Sequence, residues 1–182
     1  LDCYLLGPQI RGMQNLDSLP HGALPTSAST PSALSIRLLS TTDSVVPTLL
    51  RLSLGGVIFA HGLQKAFGWF SGYGIDGTMS FFSSVGIPSL LGALVILSDF
   101  LGSLALLLGF ATRFSAAAAF AVMLGAALIV HLPNGFFMNW GGAPHGEGYE
   151  FHVLALAMAS SLVISGGGRA AVDSWLAAKL AR

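Results

Sequence analysis

The stretch PSLLGALVILSDFLGSLALLLG, residues 88–109, decides the fold. A helix needs about 20 predominantly apolar residues, at 1.5 Å each, to cross roughly 30 Å of hydrocarbon. This run meets that length with a single charged residue, Asp99, near its middle. A charged Asp at that depth costs about 2.5–3.5 kcal/mol on insertion scales, so it should face a bundle interior and find a partner. Its helical face carries Gly92, Gly102 and Ser103, small residues that let neighbouring helices approach closely.

Three further apolar stretches flank it: Pro47 to Phe67, Phe114 to Leu132, and Glu150 to Ser165. The last is the shortest and stops at Gly166, Gly167 and Gly168. The tail AAVDSWLAAKLAR places Val172, Trp175, Leu176 and Lys179 at helical intervals, the pattern of a short amphipathic helix lying on a membrane. The expected fold is all-α: an integral membrane four-helix bundle with a short C-terminal amphipathic helix, over residues 45–182.

Composition agrees. Hydrophobic residues make up 53% of the chain and charged residues 9%, where a soluble domain carries about 25%. The net charge is zero, which lacks the basic footprint of a nucleic-acid binder. One cysteine, Cys3, excludes an intramolecular disulfide and a dithiol redox pair. It also excludes cysteine-based zinc or iron–sulfur sites within one chain. Residues 1–44, with LPTSASTPSALS at 24–35, read as a disordered tail. The chain begins with Leu1, so it reads as a fragment or a displaced start, for which Met13 is a candidate.

Basic residues set the expected topology. Four spans put both termini on one side, with Arg37, Arg51, Arg113, Arg169, Lys179 and Arg182. The other side holds Lys65 with Asp76, Glu147 and Glu150. Both termini are expected to be cytoplasmic in the inner (plasma) membrane, with the loops at 68–87 and 133–149 outward. Trp69 and its aromatic neighbours form either an interfacial belt or the mouth of a pocket. Within the first loop, DGTMSFFSSVG suggests a short interfacial helix capped by Asp76.

Three spans deliver ionisable groups to the outer leaflet. His61 and Lys65 share a face of the first, one turn apart. His131 ends the third, and Glu150 and His152 open the fourth. Glu150 and His152 stand about 200° apart on a helix, so both cannot face inward; Glu150 is expected inward. By helical rise, His61 lies roughly 9 Å deep, Asp99 roughly 16 Å and Arg51 roughly 24 Å from the outer side. Either His61 or Arg51 is within reach of Asp99. Arg51 and Lys65 also suit snorkelling to the interfaces, and His131 suits a bond to a loop carbonyl.

The run LLRLSLGGVIFAHGLQKAFG resembles the first span of DoxX family membrane proteins, in which an early Arg and a small-residue stretch precede a His-Gly-x-x-Lys motif. Arg51, His61, Gly62 and Lys65 match it. SDFLGSLALLLGFATR resembles the second span, with Asp99 where Glu is more usual. His131, Gly135, Phe136 and Phe137 resemble the end of the third. Glu150, Gly166, Gly168, Arg169 and Asp173 resemble the fourth span and its exit, with Ala171 where Ser is often found. His152 is outside the pattern. The family's namesake resembles a small membrane subunit of a quinone-linked sulfur oxidoreductase, and many members are called oxidoreductases by that link alone.

The resemblance implies a membrane component of a redox system, linked to a quinone. His61, Lys65, Asp99 and Glu150 are the candidate catalytic residues, and Arg51, His131 and Trp69 the candidate substrate contacts. A polar mouth beside an apolar slot suits a quinone; end-placed histidines disfavour a haem, and no local motif supports a metal site. The chain offers no redox centre of its own residues, which implies a partner redox subunit or a bound carrier. The alternative is a non-catalytic anchor or assembly subunit for a redox enzyme, alone or as a homo-oligomer in the lipid bilayer. A solute carrier draws on the same ions, without an internal repeat to support it.

Overall fold

The computed structural model describes residues 39–142 and 146–180. The tail expected at 1–44 lies outside the described residues up to 38. Among the described residues the protein is all-helical. Helix α1 is Val45–Phe67 and α2 is Gly74–Ser84. Helix α3 runs Ser89–Leu108 and α4 runs Thr112–Asn134. Helices α5, Glu150–Ser165, and α6, Val172–Leu180, complete the order. Helices α1, α3 and α4 are each long and apolar enough to cross a membrane; α5 is apolar but shorter.

The core explains the packing. Leu54, Ile58, Leu106, Met123 and Leu162 fill the centre, together with Ala116, Ala119, Ala155 and Ala159. Those alanines sit where α4 meets α5, and their short side chains allow close approach. Gly55 and Gly62 do the same for α1 against α3. A Cβ at Gly55 would lie 3.2 Å from the Ser103 carbonyl oxygen, and one at Gly62 would lie 2.7 Å from Phe100 Cα. Two helical turns separate the glycines, so they form one stripe. Outside the core, Leu52, Leu90, Leu128, Leu154 and Ile164 are exposed, an apolar exterior suited to lipid.

Both α3 and α4 contain a π-helical turn, Ser98–Gly102 in the first and Ala127–His131 in the second. A π turn displaces the ordinary hydrogen-bond ladder. A polar side chain serves a carbonyl of each: Ser103 Oγ donates to the Asp99 and Phe100 carbonyls, and Asn134 Nδ2 donates to the Val130 carbonyl.

At the opposite end of the bundle the helix termini are bound together. Gly109, in the left-handed region, ends α3. Arg51 is 4% exposed. Its Nη1 donates to the Leu106 and Leu107 carbonyls, Nε to that of Gly167 and Nη2 to that of Ala170. The Asp173 carboxylate accepts from the backbone N–H groups of Ala111 at 2.7 Å and Thr112 at 2.8 Å, capping the N-terminus of α4 with negative charge. Arg113 donates to the Val163 and Ile164 carbonyls at the end of α5. Thr41 Oγ1 meets Ser174 Oγ at 2.9 Å, so residues just before α1 pack against α6.

The helix after Tyr73 forms where expected, but Asp76 lies inside its first turn and no side chain caps it. Its backbone carbonyl instead accepts from Ser80 Oγ.

Candidate functional site

Glycine at 62 sets the site. Because α1 touches the π turn of α3 there, Lys65, three residues on and on the same face, stands over Asp99. Lys65 Nζ donates to Asp99 Oδ2, forming an ion pair inside the apolar span. Asp99 is fully buried, and its Oδ1 has no hydrogen-bond partner in the protein. The partner is thus neither His61 nor Arg51. Contact at Gly62 brings that residue level with Asp99, so α3 starts roughly 7 to 8 Å further out than α1 ends, by helical rise. The lysine stem spans the remaining turn.

His61 is exposed beside this pair. Its Nδ1 lies 3.0 Å from Gln64 Oε1, while Gln64 Nε2 donates to the Phe70 carbonyl. Across the opening, His131 closes the π turn of α4 and its Nδ1 lies 2.8 Å from the Glu147 carbonyl oxygen. The His131 ring packs on that of His152, with centroids 4.2 Å apart. His152 is 6% exposed, and its Nδ1 has no protein partner.

These groups lie at one end of an open-sided cavity of about 1120 Å³ between α3 and α4. His61, Lys65, His131, Glu147 and His152 line that end. The walls beyond are apolar along the length of both helices, from Leu91, Leu94 and Ile129 to Leu108, Phe110 and Phe114. The cavity is therefore an apolar trough with a polar head.

The structure reverses the expected orientation of α5. His152 faces inward with Ala155, Ala159 and Leu162, while Leu154, on the face assigned to Glu150, is 66% exposed. Close packing of Ala155 and Ala159 fixes the rotation, and a carboxylate at the helix start has no part in it. Glu150 is half-buried and does not line the cavity. Arg51 sits at the far end, ten residues from His61 along α1, held by four carbonyls. Trp69 is 58% exposed, packs beside Phe67 and Phe70, and is outside the cavity lining. Sequence reasoning missed Gln64 and Glu147, which orient the histidines: the Glu147 bond closes only when a loop folds back onto a helix end, whereas Gln64 lies three residues from His61 on one helix, a spacing that could have been read. Among the described residues, no group of three or more His, Cys, Asp or Glu side chains is placed to hold a metal ion.

Apolar spans, a charged pair joined across a glycine contact and a histidine-lined mouth define a membrane-embedded helical protein with an internal polar site. Residues 46–132 match the DoxX family model, and this match supports a DoxX family membrane protein. Arg51, His61, Lys65, Asp99 and His131 fall within the match; His152 lies beyond it. The chain is also 29% identical over 128 residues, 70% of its own length and 84% of the other, to the Bacillus subtilis (strain 168) protein named "Putative oxidoreductase CatD". No solved structure matches the chain.

Proposed function

We propose that the chain is a membrane component of a redox system and that its cavity receives a quinone-type ligand, ring at the polar end and tail along the trough. The observation that carries this reading is the joining of the two surfaces in one cavity. A ring with polar oxygens needs hydrogen-bonding side chains, and an isoprenoid tail needs a long apolar channel. The volume is ample for a ligand of that size. The name of the Bacillus subtilis relative agrees with a redox role. His61, Lys65, His131 and His152 contact the ring, with Asp99 holding Lys65 in place. A partner redox subunit exchanges the electrons.

Helix α5 acts as the fourth span, and the Arg51 end faces the cytoplasm. Arg113, Arg169 and Lys179 gather at that end, whereas Lys65 at the other is paired with Asp99, as the positive-inside rule requires. The membrane is the plasma membrane. Reporter fusions after residue 182 test the orientation: a C-terminal reporter active only outside the cell would overturn it.

The test of ligand class is extraction of the detergent-purified protein. A quinone is expected at near one per chain, and it should be lost in Gly125→Leu. Gly125 lines the trough and a Cβ there meets nothing within 4 Å, so the larger side chain fills the channel without a clash. No quinone in the unaltered protein, with a soluble redox enzyme co-purifying instead, would favour a non-catalytic anchor.

A further inference from the structure

We infer that the polar end of the cavity selects a ring hydroxyl over a ring carbonyl, so that the site binds the reduced, hydroquinone form of its ligand in preference to the quinone. This rests on the reading of the cavity as a quinone-type site.

The argument starts from the two histidine anchors. The Glu147 carbonyl can only accept a hydrogen bond, so the His131 Nδ1 it meets at 2.8 Å carries the proton. In a neutral imidazole the other nitrogen, Nε2, is then an acceptor. Gln64 fixes His61 by the same logic in two steps. Its Nε2 donates to the Phe70 carbonyl, which can only accept. The amide is thereby oriented with Oε1 toward His61 Nδ1, which must donate. His61 Nε2 is left as an acceptor too. Two imidazole acceptors, one on α1 and one on α4, therefore line the same opening.

Lys65, one turn from His61 on α1 and lining the same opening, is a donor. Its ammonium gives one proton to Asp99 Oδ2 and has others to give. The mouth thus presents acceptors beside a cation. A hydroxyl satisfies both at once: its proton goes to an imidazole Nε2 and its oxygen accepts from the ammonium. A carbonyl oxygen satisfies the ammonium and leaves the Nε2 lone pairs of His61 and His131 unmatched once the ring displaces water from the mouth, which costs affinity. Sites built to hydrogen-bond a hydroxyl discriminate strongly against analogues that lack it.

The full chain in lipid nanodiscs is titrated by calorimetry, without oxygen, with three probes sharing a ring and tail: 2-decylhydroquinone, 2-decyl-1,4-benzoquinone and the dimethyl ether of the hydroquinone. The hydroquinone is expected to bind at least tenfold more tightly than either other probe. His61→Leu, at an exposed position, should shrink that preference several-fold. Equal or tighter quinone binding overturns the selectivity while leaving the cavity reading intact. Equal binding of the dimethyl ether overturns it as well, since partitioning of the tail then explains everything. A preference that survives in both His61→Leu and His131→Leu refutes the assignment to these acceptors. Failure of all three probes to bind removes the quinone-type reading itself.

Discussion

Adding one methyl group at position 62 should disable the site from its foundation. In Gly62→Ala the new Cβ would lie 2.6 Å from the Asp99 carbonyl carbon and 2.7 Å from Phe100 Cα. Both are backbone atoms in the middle of a span and cannot swing aside. Restoring ordinary contact spacing needs a separation of roughly 0.8 Å between α1 and α3. Overpacking of this kind costs about 1–3 kcal/mol. Part of the cost appears at Lys65, whose ion pair with Asp99 depends on that contact and is buried on the Asp99 side. Gly56→Ala, on the same helix, is the internal control, because its Cβ meets nothing within 4 Å. The assay is thermal unfolding of both variants in one detergent, followed by hydroquinone titration. Gly62→Ala should unfold several degrees lower and lose binding, with Gly56→Ala at or above the parent value. Equal behaviour of the two alanine variants would refute the close approach of α1 and α3, and with it the physical account of the His-Gly-x-x-Lys spacing.

Other consequences concern the charged groups. Asp173→Ala leaves two backbone N–H groups at the start of α4 without their acceptor and should cost about 3 kcal/mol, read as lowered unfolding temperature; Asp173→Asn, which keeps one acceptor oxygen, should cost less. Arg51→Lys exchanges a planar fork serving four carbonyls for a point charge and should cost about 2 kcal/mol, with ligand affinity unchanged, because Arg51 is at the end remote from the ligand; a selective loss of binding would return Arg51 to the site. Lys65→Met and Asp99→Asn should each destabilise by about 3 kcal/mol as single changes. The double variant should cost clearly less than their sum, and additivity in that cycle would show that the two side chains do not interact.

Much of the fold was legible because lipid imposes a coarse rule. A run such as 88–109 has little choice but to be helical across a membrane, and its length sets the element. The interior placement of Asp99 followed from the cost of its charge. Its partner did not, because depth counting gives each span a common starting level. The offset between α1 and α3 comes from the Gly62 contact, which only packing reveals. The rotation of α5 was misread for a related reason: apolar residues cover every side of that helix. Hydrophobic periodicity then carries almost no information, and Ala155 and Ala159 decide the face by their size. Arg51 looked like a snorkelling or ligand-facing cation, since sequence does not show that the loop at 166–170 brings two carbonyls to it.

The two ends of the bundle are held by different kinds of polar contact. At the Arg51 end, guanidinium and carboxylate groups are bound to backbone groups of helix termini: Arg51 and Arg113 to carbonyls, Asp173 to N–H groups. Such bonds close the terminal groups that lipid cannot satisfy, and they tie α1, α3, α4 and α5 to one another. At the His61 end the order is inverted. There the charges pair with each other, the histidines are oriented by a loop carbonyl and an amide, and π turns carry both Asp99 and His131. A π turn exposes a carbonyl that an ordinary helix would use, and a nearby polar side chain can then meet it, as Ser103 and Asn134 do. Deleting either of these side chains leaves a buried carbonyl unmatched at a cost of about 1–3 kcal/mol, and the cheapest repair is to rewind the turn as α-helix. Rewinding rotates everything beyond it by about one residue's 100°. Ser103→Ala should therefore swing Asp99 away from Lys65 and weaken ligand binding while the Arg51 end keeps the bundle assembled. Unchanged binding in Ser103→Ala would show that the α3 π turn holds Asp99 in place without help from that hydroxyl.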